Sequence, residues 1–282
     1  MMKKFIAAFD GLSFSETTMN YAIYLAKHCK AHLVGVFLED FMRRSYGVAD
    51  ITSYQGSDFD KHMHDLNEKD KEERDESISI FEKYCRDAGL NYSVHRDRNV
   101  ALQELLHESI YADLLIISES ETLTRFEEVV PSRFVKNVLN EVQCPVVVVP
   151  PKYKPIDKVI LLYDGEPSSV FAVRTFSYLF DEMKSAETDV ITVKPLEDSL
   201  HMPDNRLIKE FVKRHYPKAE YVVLKGNSED EIIKYLHREK KDPIVVLGAY
   251  RRSSFSRLFR PSMADQLMQH VKMPLFIAHN KS

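Results

Sequence analysis

The sequence predicts an α/β protein built from one unit used twice, each unit a five-stranded parallel sheet flanked by helices. The first observation is a series of short apolar runs separated by helical periodicity, as expected of strands buried on both faces and joined by crossover helices. The second concerns two similar stretches. Val245, Val246 and Leu247 stop at Gly248, and a polar loop leads to Pro261-Ser262 and an apolar-periodic helix; earlier, residues 114–117 run into Ser118, and a loop ends at Pro131-Ser132 before another helix. The third is that FIAAFDG at residues 5–11 returns as VILLYDG at 159–165. A recurring unit decides the architecture before any single motif is weighed.

In the first unit, residues 5–9 form a strand ending in Asp10-Gly11. Ser13 and Glu16 have capping-box spacing, and Met19, Ala22, Ile23 and Ala26 recur at helical intervals. Residues 33–38 (LVGVFL) are the second strand, with Phe37 near its end, placed either to cover a flat ring or to pack. Residues 41–58 carry Tyr46, Gly47, Tyr54 and Gly56 without periodicity and read as a surface insertion. Residues 60–88 read as a helix with a polar middle, while Ile78, Phe81, Cys85 and Ala88 make an apolar stripe, so only its C-terminal half needs the core. His62 and His64, two apart, fall on different helix faces and make no metal pair. Residues 92–95 are the third strand, and Asn99 is placed to cap the helix carrying Leu102, Leu105, Leu106 and Ile110. Residues 112–117 follow as the fourth strand, Val135, Val138, Leu139 and Val142 mark the last helix, and PVVVV at 145–149 is the last strand.

The boundary falls at residues 150–155 (PPKYKP), whose prolines cannot continue a central strand and prefer an extended chain. Beyond it, residues 159–163 precede Asp164-Gly165; Val173, Phe176 and Phe180 stripe a helix; residues 190–193 form a strand; residues 207–212 lie on a helix. Residues 221–224 lead into Gly226-Asn227-Ser228, where Ser228 and Glu231 have capping-box spacing ahead of Ile232, Ile233 and Leu236.

At 282 residues, 44% hydrophobic and 29% charged, the chain is long enough for two globular cores. A net charge of -4 argues against a dedicated nucleic-acid binder, which carries a basic excess to neutralise phosphates. Cys29, Cys85 and Cys144 are far apart and form no CxxC, so neither a disulfide framework nor a zinc site is expected, and a reducing compartment is. The start, MMKKFIAAFDG, makes a better strand than a signal peptide, and no apolar run approaches the roughly 20 residues that span a bilayer. The expectation is a soluble, cytoplasmic protein with no nucleic-acid and no membrane partner.

Three features then carry a resemblance: Asp10 and Asp164 at the ends of the first strands, the 226–228 turn, and the endings EVQCPVVVVP and HVKMPLFIAH. On these the chain resembles the universal stress protein family in its tandem form, over nearly its whole length apart from residues 41–77. The resemblance implies two Rossmann-like domains of the adenine nucleotide alpha hydrolase-like type, residues 1–150 with an insertion at about 41–77 and residues 156–282. It also implies that the final strands, 146–149 and 275–278, pair the halves into an intramolecular pseudo-dimer. A further homodimer and a protein partner of unstated identity are compatible with it.

Nucleotide-binding members of that family carry Gly-x2-Gly-x9-Gly-Ser/Thr after the fourth strand, since glycines let backbone N–H groups approach phosphates. In the second unit the positions are Gly248, Arg251, Pro261 and Ser262. Pro261 removes a donor, and Arg251 fills the space a glycine leaves open. Arg251, Arg252, Arg257 and Arg260 can instead hold phosphate through side chains, or simply form a solvated basic loop. In the first unit the positions are Ser118, Glu121, Pro131 and Ser132, and Glu119, Glu121, Glu127 and Glu128 repel a triphosphate. The leading expectation is a non-catalytic stress-response protein used for binding or signalling, with no required cofactor and a first unit empty of ATP. The alternatives are an adenine-nucleotide binder with slow ATPase activity, holding ATP or AMP at Asp164, Val193, Gly226, Gly248, Arg251 and Ser262, and a phosphate sensor served by the arginine loop.

Overall fold

The structure, a computed structural model, describes residues 2–39, 57–97, 100–123, 127–248 and 262–278. Within these the strands are β1 (Lys4–Asp10), β2 (His32–Leu38), β3 (Tyr92–Asp97), β4 (Leu114–Ser118), β5 (Val146–Val149), β6 (Lys158–Leu162), β7 (Glu187–Lys194), β8 (Glu220–Lys225), β9 (Pro243–Gly248) and β10 (Leu275–Ala278). They join into one sheet in the order β3-β2-β1-β4-β5-β10-β9-β6-β7-β8. Each half has the same order outward from the centre. Neighbours are parallel throughout except β5 and β10, which pair antiparallel with Val147 opposite Phe276. The carboxyl ends of the two half-sheets therefore point in opposite directions.

The helices are α1 (Glu16–Cys29), α2 (Ser57–Asp87), α3 (Ala101–Ile110), α4 (Arg133–Glu141), α5 (Pro167–Leu179), α6 (Asn205–His215), α7 (Ser228–Arg238) and α8 (Met263–His270), with a 3₁₀ turn at Asp181–Ser185. Three caps differ from expectation. Ser15, not Ser13, caps α1 by accepting from the Thr18 N–H. Asn227, not Ser228, caps α7: its amide carbonyl oxygen accepts from both the Glu229 and Asp230 N–H groups. Val100 precedes α3 with no side-chain cap, and Asn99 lies outside the described residues.

The sheet buries both faces, as its apolar strands require. One face carries Phe5, Phe9, Phe37, Phe81, Phe176, Phe180 and Phe276; the other carries Ile6, Val36, Leu115, Val138, Ile160, Val245 and Leu267. Both layers run across the centre, and the Phe5 ring lies 6.2 Å from that of Phe180. Phe37 packs between Phe9, at 5.3 Å, and Phe81, at 5.8 Å. Phe81 reaches the sheet because Gly35 has no side chain: a Cβ there would lie 2.8 Å from the ring.

Each half also repeats a paired cation at the start of its first strand, buried in the second half and half-buried in the first. Lys158 Nζ lies 2.6 Å from Asp189, 2.9 Å from Glu239 and 3.1 Å from Glu187. Burial alone would lower the ammonium's pKa, but hydrogen bonds to these three carboxylates outweigh it and hold the pKa above its ordinary value. Lys4 is its counterpart, 3.0 Å from Glu108, which also contacts His95 at 2.6 Å.

Candidate functional site

In an open parallel sheet, ligands settle beyond the carboxyl ends of the strands where the strand order reverses. Here that point lies between β1 and β4 in the first half and between β6 and β9 in the second. Asp10 and Asp164 mark the two places. Each makes the same local turn, Asp10 Oδ1 accepting from the Leu12 N–H and Asp164 Oδ1 from the Glu166 N–H, both at 2.9 Å. Their surroundings differ: Asp10 is 2% exposed, whereas Asp164 is open to solvent.

The first crevice is filled by the chain itself. Glu121, in the loop after β4, is 8% exposed, and the backbone N–H groups of Asp10, Thr122 and Leu123 donate to its carboxyl. Burial first, and the Asp10 charge second, push its pKa up to about 7. Glu121 is thus an inward-facing group and not the surface charge that the loop composition suggests. Ser132 caps α4, accepting from the Val135 N–H at 3.1 Å while its hydroxyl donates to the Glu121 carbonyl. Glu119, 2% exposed, accepts from Lys272 Nζ across the centre of the sheet at 2.8 Å.

Helix α2 closes the same crevice from the opposite face, which corrects the expectation that only its C-terminal half meets the core. Asp70 and Ser77 are buried, Ser77 Oγ donates to the Gly11 carbonyl at 2.9 Å, and the stem of Arg74 lies over Gly11. The polar middle of this helix has partners at the edge of β1, so polarity there does not mean a solvent face.

The second crevice collects the expected residues at the carboxyl ends of neighbouring strands. Asp164 follows β6, Val193 is half-buried near the end of β7 and paired with Leu224, Gly226 follows β8, and Gly248 ends β9. Gly226 has φ +132, a conformation that suits glycine, and its N–H donates to the Lys194 carbonyl at 3.0 Å. Gly248 has a packing role: a Cβ there would lie 2.5 Å from the backbone of Ser168 in the first turn of α5. Ser262 caps α8 in a capping box with Asp265, accepting from its N–H at 3.1 Å and donating its own N–H to the carboxylate at 3.0 Å. Arg251 and Pro261, with the rest of the arginine loop, lie outside the described residues.

Sequence reasoning missed the rim of this crevice. Lys225, at the end of β8, holds the stretch after β7 by donating to the carbonyls of Pro195 at 3.1 Å, Ser199 at 3.4 Å and Asp198. The Tyr163 hydroxyl donates to the Pro203 carbonyl at 3.2 Å, and Pro203 lies so close to Gly165 that a Cβ there would meet it at 2.8 Å. Gly165, at φ +89, was the one signal of that rim.

Asp164, strands β6 to β10 and the turn at Gly226 lie within a stretch that a comparison matches: residues 157–279 fit the model of the universal stress protein family. The second half of the chain carries the match to that family. The universal stress protein domain so defined holds all of β6 to β10. Over its whole length the chain is similar in structure to a universal stress protein from Archaeoglobus fulgidus DSM 4304, at a TM-score of 0.70, with 15% identity and 98% of each chain covered. It is also similar to a functionally unknown protein from Pseudomonas aeruginosa PAO1, at a TM-score of 0.62 and 12% identity, over 99% of this chain and 92% of that one. These likenesses extend the fold to the first half. No curated protein matches the sequence. Among the described residues no group of three or more His, Cys, Asp or Glu could hold a metal ion, and no helix is long and apolar enough to cross a membrane.

Proposed function

We propose that this chain is a non-catalytic, cytoplasmic stress-response protein that acts by binding or signalling and requires no cofactor. Its two domains, residues 1–150 and 156–282, work as an intramolecular pseudo-dimer in which only the second is open to a nucleotide. One observation carries the reading: equivalent aspartates face opposite fates, Asp10 buried beneath Glu121 and α2, Asp164 exposed. An adenine nucleotide needs the crevice that the first half has filled with its own carboxylate.

The second reading, a nucleotide binder with slow ATPase activity, draws support from the exposure of Asp164 at a strand-order reversal. On this reading Asp164, Val193 and Gly226 serve the base, and Gly248 and Ser262, with Arg251 from the sequence between them, serve the phosphates. Pro261 weakens that reading by withholding a backbone donor. Calorimetric titration with ATP, AMP and inorganic phosphate separates the readings. No heat supports a purely protein-directed role. ATP binding lost in Arg251→Glu and Asp164→Ala but kept in Asp10→Ala supports the nucleotide role, and phosphate competing as well as ATP supports an anion sensor. Loss on Asp10→Ala alone refutes the asymmetry.

A further inference from the structure

The filled crevice of the first half has chemistry of its own, independent of what the second half binds. Glu121 stands where several segments meet. Its N–H donates to the Ser118 carbonyl at 3.2 Å, its carbonyl accepts from the Ser132 hydroxyl that caps α4, and its carboxyl takes N–H groups from β1 and its own loop. Two residues away, Glu119 reaches into the other half through Lys272, while its backbone N–H bonds the Val149 carbonyl on β5 at 3.0 Å. The loop therefore fastens β1, α4, β5 and the second half together.

One charged group acts on that carboxyl directly, and others stand on the elements around its loop. Asp10 faces it from β1, and Glu119 stands beside it on the same loop, answered by Lys272 from the turn before β10. From α2 come Arg74 and Asp70, whose charged ends lie 4.0 Å apart, with the Arg74 stem over Gly11. Among the described residues no ion pair reaches the Glu121 carboxyl itself. A carboxyl buried beside a second one carries charge only at a cost.

We infer that this arrangement is a proton-operated latch, in which a proton gained at Glu121 beside Asp10 fastens the 118–123 loop and a proton lost there loosens it. On protonation the repulsion from Asp10 disappears and the loop stays seated. On ionisation a charge is left buried against Asp10, and the loop moves toward water, taking its hold on α4 and on the Glu119–Lys272 tie with it. The burial-driven rise of the Glu121 pKa to about 7 places this exchange in the neutral range. In the second half the matching sequence position is Arg251 and not an acid, and Asp164 is exposed. The first half thus responds to pH where its twin is open to a ligand.

The test is a pH titration of the full-length protein without nucleotide, following the amide resonances and hydrogen exchange of Thr122 and Leu123 between about pH 5.5 and 8.5, a range bracketing the neutral region in which a buried carboxyl titrates. In the wild type these amides should shift with a midpoint near 7, and their protection factors, the exchange rates corrected for the intrinsic base catalysis of amide exchange, should fall at least tenfold on the alkaline side. Glu121→Gln should abolish the transition, and Asp10→Asn should move its midpoint down by relieving the repulsion. A wild type whose loop amides do not respond, or a response that survives Glu121→Gln, overturns the latch. If Asp10→Asn does not fold, the wild type and Glu121→Gln decide the matter alone.

Discussion

Replacing Lys158 by methionine removes a charge while keeping an apolar stem of similar length, and so isolates what the ammonium does. Its Nζ sits between Asp189, Glu239 and Glu187, whose side chains are 4%, 11% and 48% exposed. Glu187 is screened by water and retains Lys241 at 2.5 Å, so its share is small. Among the described residues Asp189 keeps the Tyr235 hydroxyl at 2.6 Å, and Glu239 the nearby Lys240 and Lys241 N–H groups. Stranding those two buried carboxylates should cost about 3–5 kcal/mol, the range for breaking a buried ion pair from one side. Urea unfolding at pH 7 measures it. The pH dependence supplies a second check. Glu239, held by Lys158 against the upward pull of burial, and Glu187, held first by Lys241 and then by Lys158, have pKa values below the ordinary 4.5. Their stabilisation is present above that value and is lost as pH falls through the lowered folded values, so the gap between wild type and variant should close in acid. A loss under about 1 kcal/mol at pH 7, no more than an exposed pair contributes, or a gap that persists at pH 3, would refute the reasoning.

Three further outcomes follow. Gly248→Ala should cost about 1–3 kcal/mol in thermal unfolding by driving α5 off β9, whether or not a nucleotide is present. Phe81→Ala should cost about 3–5 kcal/mol, because the ring fills the space above Gly35 and joins Phe9 and Phe37. Glu121→Gln should leave stability little changed near pH 5 but raise it at pH 8. A folded pKa of about 7 against an ordinary 4.5 means that ionisation burdens the native state as pH rises between those values, by about 3 kcal/mol in all. Denaturant midpoints at the two pH values check this, and equal midpoints for wild type and variant at pH 8 would count against it.

The legible parts of the chain were those whose signal is local. Uninterrupted runs such as LLIIS and VVVV can only be strands buried on both faces, and the structure places them at β4 and β5. Caps were less legible, because Ser13, Ser15, Asn227 and Ser228 all carry suitable oxygens, and backbone geometry selects among them. The charges of α2 and Glu121 were misleading by themselves. Asp70, Ser77 and Glu121 look like solvent-facing residues in sequence and are buried, because partners distant in the chain meet them at the end of β1.

What the sequence determined by itself was the repeated α/β unit, since hydrophobic period and strand composition act over a few neighbouring residues and need no knowledge of distant ones. Only the tertiary structure decided which of two equal aspartates is open. That choice depends on where a long polar helix and one glutamate side chain come to rest, and those positions are set by close packing and charge pairing between segments far apart in the chain.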